Sequence, residues 1–115
     1  MDNKITAEIN NKVWTFSIDK PTNEIFKLHN KYLDSVCEYR TRTIHIKDTV
    51  SLNDLAHILN HEICHALIYE TQIKTVDVTY TEEDLCEFVG KYFESIVNIY
   101  NLVITKINDY VKHNI

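Results

Sequence analysis

The stretch SLNDLAHILNHEICHALIYE, residues 51–70, places Leu52, Leu55, Ala56, Leu59, Ile63 and Leu67 at spacings of three and four. That period puts their side chains on one stripe of an α-helix. Ser51 suits the N-cap, and Asp54 three residues on completes a weak capping box, so a helix is predicted from Ser51 to about Glu70. Within it stands His61-Glu62-Ile63-Cys64-His65. Four residues make about one helical turn, so both imidazoles leave one face and can share a metal ion, with Glu62 beside them to hold a water. On a wheel of about 100° per residue the histidines lie nearly opposite the apolar stripe, flanked by Cys64 and Ile68. Such a face, not plainly polar, calls for an apolar cover.

The next long element is the expected cover. Thr81-Glu82-Glu83-Asp84 reads as a second capping signature with acid in the first turn. Leu85, Cys86, Phe88, Val89, Tyr92, Phe93, Ile96, Val97, Ile99, Tyr100 and Val103 then recur at helical spacing, and the last dozen residues continue the helix or fray. A catalytic zinc takes three protein ligands and keeps one position for water, so this helix is expected to supply the third. Among its acids, Glu82 shares the direction of Leu85, Cys86, Val89, Phe93 and Ile96, whereas Glu83 points well off that stripe and Glu87 almost directly away. Glu82 is the favoured ligand and Glu83 the alternative. The competing reading makes Glu82 a first-turn acid that complements the helix dipole, as Glu83 and Asp84 do. His57, one turn before His61, is a polar flank residue, because three ligands on successive turns of a straight helix cannot all reach one ion. Cys64 and Cys86 read as small hydrophobes in preference to thiolate ligands, with Cys86 near the metal pocket. His29 and His113 carry no signal.

Upstream, Ile5, Ala7 and Ile9 alternate into Asn10-Asn11, and Val13, Trp14, Phe16 and Ile18 follow, a β-hairpin pattern. Asp19-Lys20-Pro21-Thr22 breaks the strand, and Ile25, Leu28, His29, Tyr32, Leu33 and Val36 predict a first helix that Pro21 starts and Cys37 ends. Residues 39–47 are β-branched and alternating, a strand expected to pair with the hairpin. The predicted architecture is a single α+β domain over residues 1–115, a small antiparallel sheet of hairpin plus one strand packed on three helices, with the histidine motif on the central one.

Composition removes other chemistries. One glycine, Gly90, and one proline, Pro21, in 115 residues leave nothing to build a phosphate-cradling loop. A net charge of −5 argues against nucleic acid as partner. Three cysteines without a close pair fit reduced thiols better than a disulfide framework. No signal-like or membrane-length apolar run occurs, so a soluble, cytoplasmic protein is expected. Gly90, inside the last helix, suits a close neighbour or a bend.

The Arg42-Thr43-Ile44-His45-Ile46 strand, the LNHEICHALIYE helix and the EEDLCEFVGKYF segment together resemble the small zincin-like metallopeptidases of phages and mobile elements related to the ImmA/IrrE group. The resemblance implies a zinc-dependent peptidase of the gluzincin kind, with His61 and His65 as ligands, Glu62 as catalytic glutamate and Glu82 at the family's downstream glutamate. Phe88 and Val89 match the downstream motif, while Leu85 and Cys86 stand where the family has Ala and Asn or Asp. The implied partner is a specific intracellular protein or peptide, in the host cytoplasm for a phage-encoded chain. Tyr69, Tyr80 and His45 are candidate oxyanion donors, and an extended peptide is expected to add along the strand ending at Lys47. Two further readings stand beside this one, a catalytically idle zincin-like module that binds a protein partner and a zinc that only staples the fold.

Overall fold

Asn10 and Asn11 adopt φ of 50° and 68°, the left-handed pair that a two-residue type I′ hairpin demands and that asparagine tolerates. They join β1 (Lys4–Ile9) to β2 (Lys12–Asp19) in antiparallel register from Lys4 opposite Ser17 to Ile9 opposite Lys12. The computed structural model describes residues 3–27, 33–71 and 81–113. Two further strands follow, β3 (Ser35–Glu38) and β4 (Thr43–Lys47), and then two helices, α1 (Leu52–Thr71) and α2 (Glu82–His113).

The α+β class holds, and two features of the predicted architecture are corrected. The sheet is mixed and four-stranded, in the order β1-β2-β4-β3, with β2 and β4 parallel and β3 antiparallel to β4. Two α-helices, not three, occur among the described residues. The segment read as a first helix contains a 3-10 turn at Glu24–Phe26, capped by Asn23 Oδ1 accepting from Ile25 N at 3.1 Å, and then β3. Residues 28–32 lie outside the described residues. Strand wins at Ser35–Glu38 because β4 would otherwise present an unpaired ladder, and alternation serves both faces: Val36 is buried on one, Ser35 and Cys37 are half-buried on the other. The predicted strand over 39–47 shortens to β4, since residues 39–42 turn the chain. Arg42 N donates to Tyr39 O, and Arg42 itself sits at φ 51°.

One core lies between the sheet and the helices. Ile5, Ala7, Ile9, Trp14, Phe16, Ile44 and Ile46 from the strands meet Leu55, Leu59, Ile63, Ala66 and Leu67 of α1 and Ile99, Val103 and Ile107 of α2. Both helix caps form as their sequences require. Ser51 Oγ accepts from Asp54 N, and at the head of α2 Thr81 and Asp84 exchange backbone-to-side-chain bonds at 3.0 and 3.1 Å. Those bonds from Thr81 hold the Asp84 carboxyl below its ordinary range.

Along α2, Phe88, Tyr92 and Ile96 pack on the core as half-buried side chains, and burial is deepest further on, at Ile99, Val103 and Ile107. Leu85, Val89 and Phe93 are 62%, 46% and 59% exposed, so all of the stripe expected to lie over the histidines except Ile96 faces outward. Gly90 has no close neighbour among the described residues either, because an added Cβ would meet nothing of them within 4 Å. Gly90→Ala is therefore expected to stabilise the helix by about 0.5–1 kcal/mol. A thermal melt reads this as a rise of a few degrees, and an unchanged or lower Tm would show that the glycine is needed.

Candidate metal centre

The side chains of α1 grade from core to solvent across the motif. Ile63 is fully buried, Glu62 is 4% exposed, His65 is half-buried and His61 is exposed. The buried stripe takes in Ile58, Glu62 and Ala66, so it reaches closer to the histidines than the wheel expected. β3, which the sequence reading had placed in a helix, borders them on one side.

His61 Nε2 and His65 Nε2 stand 3.1 Å apart. Two nitrogens held about 2.0–2.1 Å from one tetrahedral ion would be about 3.3 Å apart, so the pair fits a shared zinc with little adjustment. Glu62 Oε1 lies 3.9 Å from His61 Nε2. His61, Glu62 and His65 form the one group of three ligand-type side chains among the described residues whose donor atoms lie within 4.8 Å of one another. Glu82, Glu83 and Glu87 are exposed on the first turns of α2 and stand outside that group.

Glu62 is the anomaly of the site. Its Oε2 is buried and has no hydrogen-bond partner among the described residues. Burial pushes the carboxyl up to about 7, against a hydrogen bond from Ser35 that works the other way. A buried carboxylate with a bare oxygen is costly unless a cation or water answers it, which suits a metal-bound water at the junction of the three side chains.

Alternate residues of β3 and its extension, Ser35, Cys37 and Tyr39, line this junction. Ser35 meets Glu62, and Cys37 and Tyr39 hydrogen-bond to each other. The Cys37 thiol is pushed up to about 12 by burial first and the Glu62 charge second. Tyr39 is likewise raised to about 12, mainly by burial, with Cys37 and Glu62 adding to it. Both groups are therefore neutral near pH 7. Together with Leu33, Asp34, Val36, His61, Glu62 and His65 they border a hollow of about 340 Å³. A second hollow, about 410 Å³, lies across the histidines against His57, Cys64 and Ile68. The period-two spacing of Ser35, Cys37 and Tyr39 was the available signal for this wall, masked by an equally good helical period.

Other candidates fall elsewhere. His45 alternates with Ile44 and Ile46 and so occupies the sheet face away from α1, where its Nδ1 pairs with Asp19 Oδ2 at 2.6 Å. The ring of Tyr69 packs against Trp14 and Tyr39. Tyr80 and His29 lie outside the described residues. Cys37 and Cys64 are half-buried and Cys86 exposed, all three unbridged. No described helix is long and apolar enough to cross a membrane. Comparison with protein-family models, curated proteins and solved structures finds no match to the chain.

Proposed function

We propose that the chain is a zinc-dependent peptide hydrolase in which His61 and His65 hold the metal and Glu62 is the general base. The carrying observation is the meeting of two imidazole nitrogens 3.1 Å apart with a buried carboxylate that has one oxygen unanswered. Bound zinc supplies Lewis acidity, which lowers the pKa of a water and polarises a carbonyl. Glu62, raised to about 7 by burial, is matched to take a proton from water near neutral pH and to return it to the leaving amine.

Among the described residues the outer strand of the sheet beside the site is β3, while β4 lies between β2 and β3, so the edge offered to an extended peptide is Ser35–Glu38 and not the strand ending at Lys47. A peptide added there as a further strand would run past the hollow that Glu62 and the histidines border. The proposed substrate is accordingly an extended protein segment.

Metal analysis of purified protein tests the reading, together with cleavage of a degenerate peptide mixture followed by mass spectrometry. One zinc per chain is expected for the wild type and none for His61→Ala or His65→Ala. Glu82→Ala, which removes a carboxylate outside the group, is expected to leave zinc affinity within about threefold. A wild type without stoichiometric zinc, or a His65→Ala variant that keeps it, overturns the proposal.

A further inference from the structure

We propose that Tyr39 is the positioning residue of the centre: its phenolic oxygen accepts the Nδ1–H of His65 and so fixes Nε2 as the bare nitrogen turned towards His61. The inference rests on the metal reading above and adds to it a residue that the motif does not contain.

The geometry leaves few proton arrangements. Tyr39 Oη lies 3.3 Å from His65 Nδ1, and His65 Nε2 lies 3.1 Å from His61 Nε2. A neutral imidazole carries one N–H, so only one of these two contacts can be donated by His65. If Tyr39 donated to Nδ1, the His65 proton would sit on Nε2, where a metal would have to displace it. Cys37 decides against that. Tyr39 is hydrogen-bonded to Cys37, and a hydroxyl is the stronger donor of the two groups, so the phenolic proton points to Sγ and the oxygen lone pairs remain to accept. The chain of donation then runs from His65 Nδ1–H to Tyr39 Oη and from Tyr39 O–H to Cys37 Sγ, with His61 Nε2–H meeting the Nε2 lone pair of His65. Metal-bound histidines commonly give the other ring N–H to such a partner, which sets both tautomer and ring angle.

Tyr39 is also held in place. Its ring stacks on Tyr69 with centroids 5.0 Å apart and planes at 28°. Tyr69 lies one turn beyond His65 on α1, backed by the edge of Trp14 at 6.2 Å and by the Arg42 guanidinium 6.0 Å from its centroid. Arg42 and Trp14 both bond Glu70 Oε1, so the last turn of α1 gathers the aromatic groups that place the hydroxyl. The helix that carries the ligand thus carries the clamp for its partner.

Tyr39→Phe keeps the stacked ring and removes only the oxygen. Chelator competition is expected to show zinc affinity 10- to 100-fold lower than wild type. Imidazole nitrogen NMR of the metal-free full chain is expected to show His65 as the Nδ1–H tautomer in the wild type and as a mixture in Tyr39→Phe. Zinc affinity unchanged within twofold in Tyr39→Phe, or a wild-type His65 already protonated at Nε2, overturns the role of Tyr39. A wild type that binds no zinc overturns the function proposed above, and the tautomer measurement still decides this one.

Discussion

Glu62→Gln is expected to abolish peptide cleavage, by a factor of about 10³ or more, and to make the metal-free protein more stable. Loss of the group proposed to shuttle the proton accounts for the first effect. The second follows from burial. Glu62 is 4% exposed with a bare Oε2, and its carboxyl is pushed from 4.5 to about 7. An acid whose folded pKa is raised adds nothing unfavourable below about pH 4.5, where it is protonated in both folded and unfolded chains. Between pH 4.5 and 7 the unfolded chain ionises first and the native state loses ground; above 7 the penalty is complete. Glutamine keeps the shape without the charge, so the variant should gain on the order of 3 kcal/mol at pH 8 and almost nothing at pH 4. Thermal melts of chelator-treated protein across this range check it. Equal pH profiles for the two proteins would show that Glu62 is solvated in the native state. The same variant separates the peptidase reading from the other two, because a protein-binding module or a zinc staple would keep its effect without the proton shuttle, and a large drop in Tm on chelation would mark the staple.

Trp14→Ala is expected to cost about 3–5 kcal/mol, the range for removing a large aromatic side chain from a packed core. Trp14 is fully buried and its Nε1 donates to Glu70 Oε1 at 3.1 Å. Glu70 Oε1 also accepts the Arg42 Nε–H, and its side chain is only 6% exposed. Removal of the indole therefore opens a void and takes one donor from a buried carboxylate. Calorimetry should show Tm lower by roughly 10–20 °C, and Trp14→Phe should lose less, since most of the apolar volume is kept. A fall below 5 °C for alanine would mean that the core collapses around the vacancy.

What could be read in the residues depended on how locally each structure is determined. The hairpin turns on Asn10 and Asn11, α1 on Ser51 and a stripe of leucines, and the head of α2 on Thr81 and Asp84. Each of these signals lies within a few residues of what it specifies. The motif itself was legible for the same reason, since His61, Glu62 and His65 share one turn of helix. β3 was not, because four residues form a strand only in the presence of β4, and Val36 fits a helical period as well as a strand one. The parallel contact of β2 with β4 escaped for a related reason: nothing in either strand encodes the direction of a neighbour that is distant in sequence. With β3 missing, the cover over the histidines went to the only long apolar element left, α2.

The β2–β4 pairing joins residues 28 apart in sequence, Thr15 with Thr43 and Asp19 with Lys47, whereas each hairpin closes locally. In chain-statistical terms the sheet is two local units united by one long closure. Closure entropy grows only with the logarithm of the segment, about 0.6 kcal/mol for each doubling. The unit that carries Ser35, Cys37 and Tyr39 is thus attached through its ladder to β2 far more than through the length of the connection between them. On closure entropy alone, extra residues in that connection cost little, so the approach to Glu62 can be reshaped by length without disturbing the helix that bears the histidines, provided Phe26 keeps its buried place.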